Sequence, residues 1–503
     1  MSGDGRLGRG LLGTGDIVFM VMAAAAPMAV VVALMPLAFA FGNGSGVPGT
    51  YLGAVFAMLL FAAGYVRIIP FVKNAGAFYA YIAAGVGRTA GLAAAYVAAL
   101  CYFALSCSTL AALAFFSEQF FAQLTGLHTP WELWAAGSIL LVAFLSFHRI
   151  TLAAKVLAMA LIAEIVVILV LDLAIVRDVG TSGFSFRDFS PGAVFAPGFG
   201  IAAIYAFNGM IGVEGTAIYQ EEARDRRVTV PRATYVSVAL VGLFYVFTAW
   251  CLASSVGDSK AGAIARENPG LFIIDRASAH LGGLGSNAIS LLVLTSSVAA
   301  VLALFNNSTR YLYALARDGV LPRSLAKTHP RHRSPYVAGA VLAIALFAVL
   351  GCASIARLDP LLNVSTALVG LGSVGLMTLL AVTALAIPVF FARRSIFGLA
   401  TTAAPAAGGL VIAAAAFLAF RNYSALTGVD SKLINNLPYL LVAVASAGAI
   451  QARWLRAHRP DLYERIGRSR VEGDDAPANE LCPDVTAPIA SGQGDELIDS
   501  THG

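Results

Sequence analysis

Apolar residues run for about twenty positions at a time along most of this chain, and polar or charged residues collect in the gaps between the runs. Stretches such as 158–174 and 338–350 show no alternation of period two, so they read as spanning helices rather than barrel strands. Bounded by Gly, Pro and charge, the runs predict twelve spans, over 16–41, 51–70, 90–122, 132–148, 151–176, 193–220, 233–256, 283–315, 336–356, 363–392, 398–420 and 436–455. The segment 73–88 (KNAGAFYAYIAAGVGR) mixes polar and apolar residues and predicts an interfacial helix leading into the third span. The expected fold class is an all-α integral membrane protein.

Composition agrees with this pattern. Of 503 residues, 58% are hydrophobic and 12% charged, and the mean hydropathy of +0.79 lies outside the range of soluble domains. The formal net charge of +5 does not point to nucleic acid or another acidic partner, because the positive residues cluster at span ends. With an even span count and both termini inside, the inner loops hold Arg67, Lys73, Arg88, Arg149, Lys155, Arg224, Arg226, Arg227 and further basic residues, against a sparser outer set. That asymmetry predicts cytoplasmic termini in a cell (inner) membrane. No cleaved signal peptide is expected from 1–15, and the acidic, apolar-poor stretch after Arg456 reads as a disordered cytoplasmic tail. Cys101, Cys107, Cys251, Cys352 and Cys482 show no CxxC spacing and read as small core residues.

Two spans carry interruptions at matching depth. The first (DIVFMVMAAAAPMAVVVALMPLAF) has Pro27 near its middle behind Ala23–Ala26, and proline removes a donor and clashes with the preceding turn. The sixth (PGFGIAAIYAFNGMIGVEGTAIYQEEA) has Asn208, Gly209 and Gly212 there, all unfavourable inside a helix. Breaks in the first helix of each five-helix half suit an inverted-repeat transporter: half-helix amides attract a carboxylate and freed carbonyls accept an ammonium. The expected binding set is therefore Ala25, Ala26, Pro27 and Met28 with Phe207, Asn208, Gly209, Met210, Ile211 and Gly212. The carboxylate would meet amides near Ala26, Pro27 and Met28, the amine would meet carbonyls of Phe207, Asn208 and Ile211, and Met28, Phe207 and Met210 would form an apolar wall. Ser106, Ser296, Ser297 and Thr366 are further polar candidates for the cavity lining.

Three motifs carry a resemblance. IGVEGTAIYQEEARDRRVTVPRA (211–233) resembles the sixth-helix signature of the amino acid–polyamine–organocation permeases. NAGAFYAYIAAGVGR (74–88) is similar to that family's motif after helix two, and NNSTRYLYALARDGVLPRSLAKTHPRHRSPY (306–336) to its helix-eight exit and loop. The resemblance implies a LeuT-type fold of five plus five helices with discontinuous helices 1 and 6, followed by two C-terminal helices. The implied organisation is an N-terminal segment 1–15, a first repeat 16–176, an inverted second repeat 193–392, helices 11 and 12 over 398–455, and the tail 457–503. It also implies proton- or exchange-driven transport of amino acids or amines. Where many relatives have a Gly-Ser-Gly type of break in helix one, this chain has Ala25-Ala26-Pro27-Met28, which is similar to putrescine-importer-like members.

Ionisable residues inside spans are expensive, and the clearest are Glu164 in span five and Glu214 in span six. A carboxyl that is neutral in hydrocarbon and releases its proton when water arrives is what a proton coupler needs, and by the resemblance Glu164 falls where proton-coupled relatives carry a lysine beside the helix-one break. A structural, hydrogen-bonded carboxyl is the competing role. Glu214, directly after Gly212-Val213, reads either as a proton sensor or amine partner, or as a clamp on amides freed by unwinding. Asp16, at the start of span one, reads as a helix cap. Sodium, held by Ser296 and Ser297 with helix-one carbonyls, is the lesser alternative to the proton, since a titratable acid makes a metal site redundant.

Other function classes lack their signatures. There is no GxxxxGK[ST] for ATP and no HExxH or paired Cys/His set, so neither an enzyme nor a metal or cofactor site is expected. A non-transporting amino-acid sensor would need a signalling output that the tail poorly supplies. The expected function is a secondary active transporter of amino acids, with a putrescine or polyamine importer, or an amino acid/amine exchanger, as the alternative.

Overall fold

The computed structural model describes residues 12–72, 78–148, 154–213, 216, 223–225, 227–257, 260–329, 334–427 and 431–466. Among them the chain is helical throughout, with one isolated parallel bridge, Leu12 to Ala223. Helix α1 (Thr14–Ala25) starts with Asp16 reaching back to accept the Gly13 N–H at 2.8 Å, the reciprocal half of a capping box. After Ala26 come α2 (Pro27–Ala29), a π turn over Val30–Leu34, and α3 (Met35–Phe41). Then follow α4 (Val47–Ile68), α5 (Phe78–Gly85), α6 (Arg88–Thr125), α7 (Trp131–His148) and α8 (Ala154–Val179).

The short α9 (Pro191–Val194) leads into α10 (Phe199–Asn208), after which come α11 (Thr229–Val256), α12 (Ala261–Glu267) and α13 (Phe272–Arg317). Helix α13 bends where Gly282 takes φ 71°, a conformation that glycine adopts without Cβ strain. Next are α14 (Tyr336–Ile355), α15 (Thr366–Ala392), α16 (Ala404–Arg421), α17 (Tyr423–Thr427), α18 (Lys432–Asn435), α19 (Tyr439–His458) and α20 (Pro460–Arg465), with π turns over Pro360–Ser365 and Leu399–Ala403 leading α15 and α16. Among the described residues, 10 helical stretches are long and apolar enough to cross a membrane. Helix α10 is a shorter apolar helix, and α19 reaches spanning length but carries Arg453 and Arg456 in its last turns.

Two interrupted segments run antiparallel through the centre. A Cβ on Gly198 would press on the Gly42 carbonyl, one on Gly209 would lie 3.2 Å from Val30, and Arg224 donates its N–H to the Leu12 carbonyl at 2.9 Å. Rising numbers in one segment meet falling numbers in the other. The core gathers around them, with Tyr51, Tyr205 and Tyr245 fully buried, while α7 and α8 present Leu140, Phe144, Ile162 and Leu173 outward, as spans on a lipid-facing flank do.

Three expectations are corrected. Helix α5 is not an amphipathic helix lying on the protein surface: Phe78, Tyr79 and Tyr81 are buried, Tyr81 meets Tyr65 edge-on at 5.3 Å, and a Cβ on Gly85 would lie 2.3 Å from the Ala386 carbonyl. The polar residues that suggested an amphipathic helix flank this helix and leave it apolar on every face. The chain after Arg456 does not leave the fold at once, because Tyr463 of α20 lies under the Arg88 guanidinium and its hydroxyl is 3.2 Å from that of Thr89. Residues beyond 466 of the expected tail lie outside the described residues. Cys101, Cys107 and Cys251 are buried, but Cys352 is exposed on α14, and Cys482 lies outside the described residues.

Candidate functional site

The first interruption is a single left-handed residue. Ala26 takes φ 45° and ψ 67° between α1 and α2, a strained conformation for a residue with a Cβ, and Pro27 follows at the first position of the new half-helix. Proline has no N–H, so Met28 presents the first amide of α2, and such leading amides have no intrahelical partner. That amide faces the carboxyl of Glu164 on α8. Ser296 of α13 donates its hydroxyl to Glu164 Oε2 at 2.8 Å, so one buried carboxyl joins α2, α8 and α13. On the other side of the interruption Tyr245 of α11 donates its hydroxyl to the Ala25 carbonyl at 3.4 Å.

The second interruption unwinds through turns. Helix α10 ends at Asn208, the Phe207 carbonyl accepts from Met210 N–H and the Asn208 carbonyl from Ile211 N–H, each at 3.0 Å. Gly212 then takes φ +109°, a region that excludes most side chains. The Asn208 side-chain amide donates to Ser373 of α15 at 2.8 Å. The Tyr245 ring closes over Gly209, where a Cβ would lie 3.0 Å from the ring edge, so Tyr245 touches both interruptions.

Between them lies a cavity of about 70 Å³. Ala25, Ala26, Asn208 and Ile211 from the expected set line it, together with Ala29, Val30 and Ala33 of the first segment. Polar lining comes from Ser108, Thr109, Ser297 and Ser365, and Ser108 donates to the Ser365 carbonyl at 2.9 Å. Pro27, Met28, Phe207, Gly209, Met210 and Gly212 do not line it. The wall expected of Met28, Phe207 and Met210 is instead made of alanines and valines with Leu34, Leu105, Leu304 and Ile211, while those three side chains are packed into the core. Of the other polar candidates, Ser106 donates to the Tyr102 carbonyl and Thr366 to the Leu362 carbonyl, away from the cavity. Glu214 lies outside the described residues.

Two carbonyls expected to meet an ammonium, Phe207 and Asn208, already accept turn bonds and retain one lone pair each. The Met28 amide expected to meet a substrate carboxylate faces that of Glu164 instead. Sequence reasoning placed Glu164 near the first interruption but did not reach its place opposite the Met28 amide. It also missed Tyr245, Ser373 and the Ser108–Ser365 pair, whose partners lie on distant helices and leave no local signal. Asp172, eight positions along α8 from Glu164, is fully buried and accepts from Thr248 of α11 at 2.7 Å. Among the described residues, no group of three or more His, Cys, Asp or Glu is placed to hold a metal ion.

Comparison with known proteins places this architecture. The branched-chain amino acid permease BcaP of Bacillus subtilis is 24% identical over 316 residues, covering 59% of this chain and 65% of that protein. The low-affinity putrescine importer PlaP of Escherichia coli is 26% identical over 319 residues, covering 60% of this chain and 67% of that protein. The chain thus spans about two thirds of the length of these curated relatives. A crystal structure of a manganese transporter from Eremococcus coleocola superposes with a TM-score of 0.58 at 13% identity, covering 91% of this chain and 98% of the other, which is a likeness of fold. The family model described as amino acid permease matches residues 16–429. A multi-pass membrane protein with that match over most of its length, this chain belongs to the amino acid permease family.

Proposed function

We propose that this chain is a secondary transporter that moves amino acids across the cytoplasmic membrane, with proton movement coupled through Glu164 and both termini on the cytoplasmic side. The observation that carries the reading is the carboxyl of Glu164, which accepts from Ser296 of α13 and faces the Met28 amide at the first interruption. Protonation of that carboxyl weakens its hold on the amide, since a charged acceptor binds an N–H more strongly than a neutral one. The first half-helix is then free to move relative to α8 and α13, and the cavity at the interruptions can widen. At about 70 Å³ that cavity holds a few waters in the described conformation, so substrate admission requires such a movement. Rocking of one bundle against another around a central site is how inverted-repeat transporters alternate access.

The test uses purified full-length protein in vesicles. Accumulation of substrate under an inward pH gradient, with loss of gradient-driven accumulation but retained exchange in Glu164→Gln, supports the reading. Accumulation indifferent to both the gradient and the substitution rejects it. Absence of any exchange with a ligand that binds would favour a sensor.

A second reading, uptake of amines, draws on the same carboxyl. Because Glu164 occupies the amide that a substrate carboxylate would use, the site favours a cation over a zwitterion. The putrescine importer among the relatives agrees with it. A thermal-shift panel decides between the two: stabilisation by diamines without stabilisation by amino acids selects the amine.

A further inference from the structure

Helices α7 and α8 are consecutive in the chain, yet over their described residues they make almost no contact with each other. Helix α7 packs on α6 and α14, whereas α8 packs on α13 and α11. The gap between them is a groove of about 510 Å³ with α13 and α6 as its floor, a size typical of sites for small organic molecules. Its rim residues Gly137, Leu141 and Thr295 are exposed on the lipid-facing flank, and its inner end reaches Ala26 and Glu164. The groove is separate from the 70 Å³ cavity: Ser296 lines the groove and its neighbour Ser297 the cavity, and Ala26 forms part of both walls.

The lining identifies the occupant. Leu113, Trp134, Leu161 and Leu302 make a hydrocarbon-like wall, and Glu164 is the one ionisable residue among those that line the groove. Its carboxyl is buried and accepts from Ser296, yet a carboxylate has about four acceptor positions and can take a further donor. A molecule with an apolar body and one ammonium satisfies both parts, the tail replacing lipid contacts along the wall and the charge finding its counter-ion at the inner end. A second charge along the tail would lie unpaired in an apolar groove, which disfavours diamines. A fatty acid would set its carboxylate against Glu164. A phospholipid headgroup stays at the membrane interface, whereas Ala26 lies near the middle of the stretch Thr14–Phe41.

We propose that the groove between α7 and α8 is a lateral binding site for membrane-soluble primary monoamines, which enter from the bilayer and place their ammonium on Glu164. Binding does not depend on the transport reading. Where that reading holds, occupancy fixes the carboxyl that tethers the first interruption, and transport falls as the site fills.

The experiment uses the full chain in nanodiscs, with octylamine as the probe and octanol and octanoate as matched controls, read by thermal stability. A terminally brominated octylamine adds a second readout, quenching of Trp134 measured against Trp134→Phe. Charge-assisted pairing predicts octylamine binding roughly tenfold or more tighter than octanol, with that preference lost in Glu164→Gln. Gly137→Leu narrows the groove at its rim without touching Glu164, since a Cβ there meets nothing within 4 Å. It should abolish both stabilisation and quenching while leaving the melting temperature of the free protein near that of the parent. Equal binding of octylamine and octanol, or unchanged octylamine binding in Gly137→Leu, overturns the proposal.

Discussion

The backbone N–H of Met28 faces the carboxyl of Glu164, so an acid on α8 stands at the start of the half-helix that Pro27 begins. Ser296 shares that carboxyl at 2.8 Å. Removing the acid would leave the Ser296 hydroxyl in the interior without its acceptor, at a cost of about 1–3 kcal/mol. Glu164→Ala is therefore expected to lower the melting temperature by several degrees in detergent. Glu164→Gln, whose carbonyl oxygen still accepts one bond, should lose less. Equal stability of the two variants would show that the Ser296 bond contributes nothing.

Tyr245 holds the other side of the same interruption through its hydroxyl on the Ala25 carbonyl, a long bond at 3.4 Å. Its ring also covers Gly209 of the second interruption. Tyr245→Phe keeps the ring and loses the hydroxyl, so stability should change by no more than about 0.5–1 kcal/mol. Tyr245→Ala should cost about 3 kcal/mol or more through loss of buried aromatic packing. Thermal unfolding of the two variants checks the ratio, and comparable losses would place the anchoring in the hydroxyl.

The side chain of Asn208 ties the end of α10 to Ser373 of α15 at 2.8 Å and also lines the central cavity. Asn208→Ala removes the tie and one polar wall. Substrate affinity is expected to fall roughly tenfold, the equivalent of about 1.4 kcal/mol. Ser373→Ala, which does not line the cavity, should lower it less. Binding measured by thermal shift or calorimetry separates them, and a stronger effect of Ser373→Ala would assign Asn208 to positioning alone.

Helix α5 makes a sharp steric forecast. A Cβ on Gly85 would stand 2.3 Å from the Ala386 carbonyl, a clash with backbone that no rotamer relieves. Gly85→Ala should cost about 1–3 kcal/mol or reduce folded yield. Gly53→Ala, exposed on α4 with nothing within 4 Å, should be neutral or stabilise by up to about 1 kcal/mol. Size-exclusion profiles and melting curves of the pair give the comparison, and a well-folded Gly85→Ala protein would return α5 to the membrane surface.

Hydrophobic run length by itself determined the membrane-spanning helical architecture, because lipid requires every backbone polar group to be satisfied within a helix and leaves few alternatives. Pro27, Asn208, Gly209 and Gly212 marked where two helices are interrupted, since proline and glycine act on the backbone locally and need no distant partner. Sequence could not say which groups meet those interruptions. Only the tertiary structure brought Glu164 to Met28, Tyr245 to Ala25 and Asn208 to Ser373, partners separated by more than a hundred residues in each case. It also moved α5 from the surface to the interior and packed α20 against α6, because an apolar side chain looks the same along the chain whether lipid or protein covers it. Contact with lipid and contact with another helix satisfy apolar residues almost equally, so packing in three dimensions decides between them.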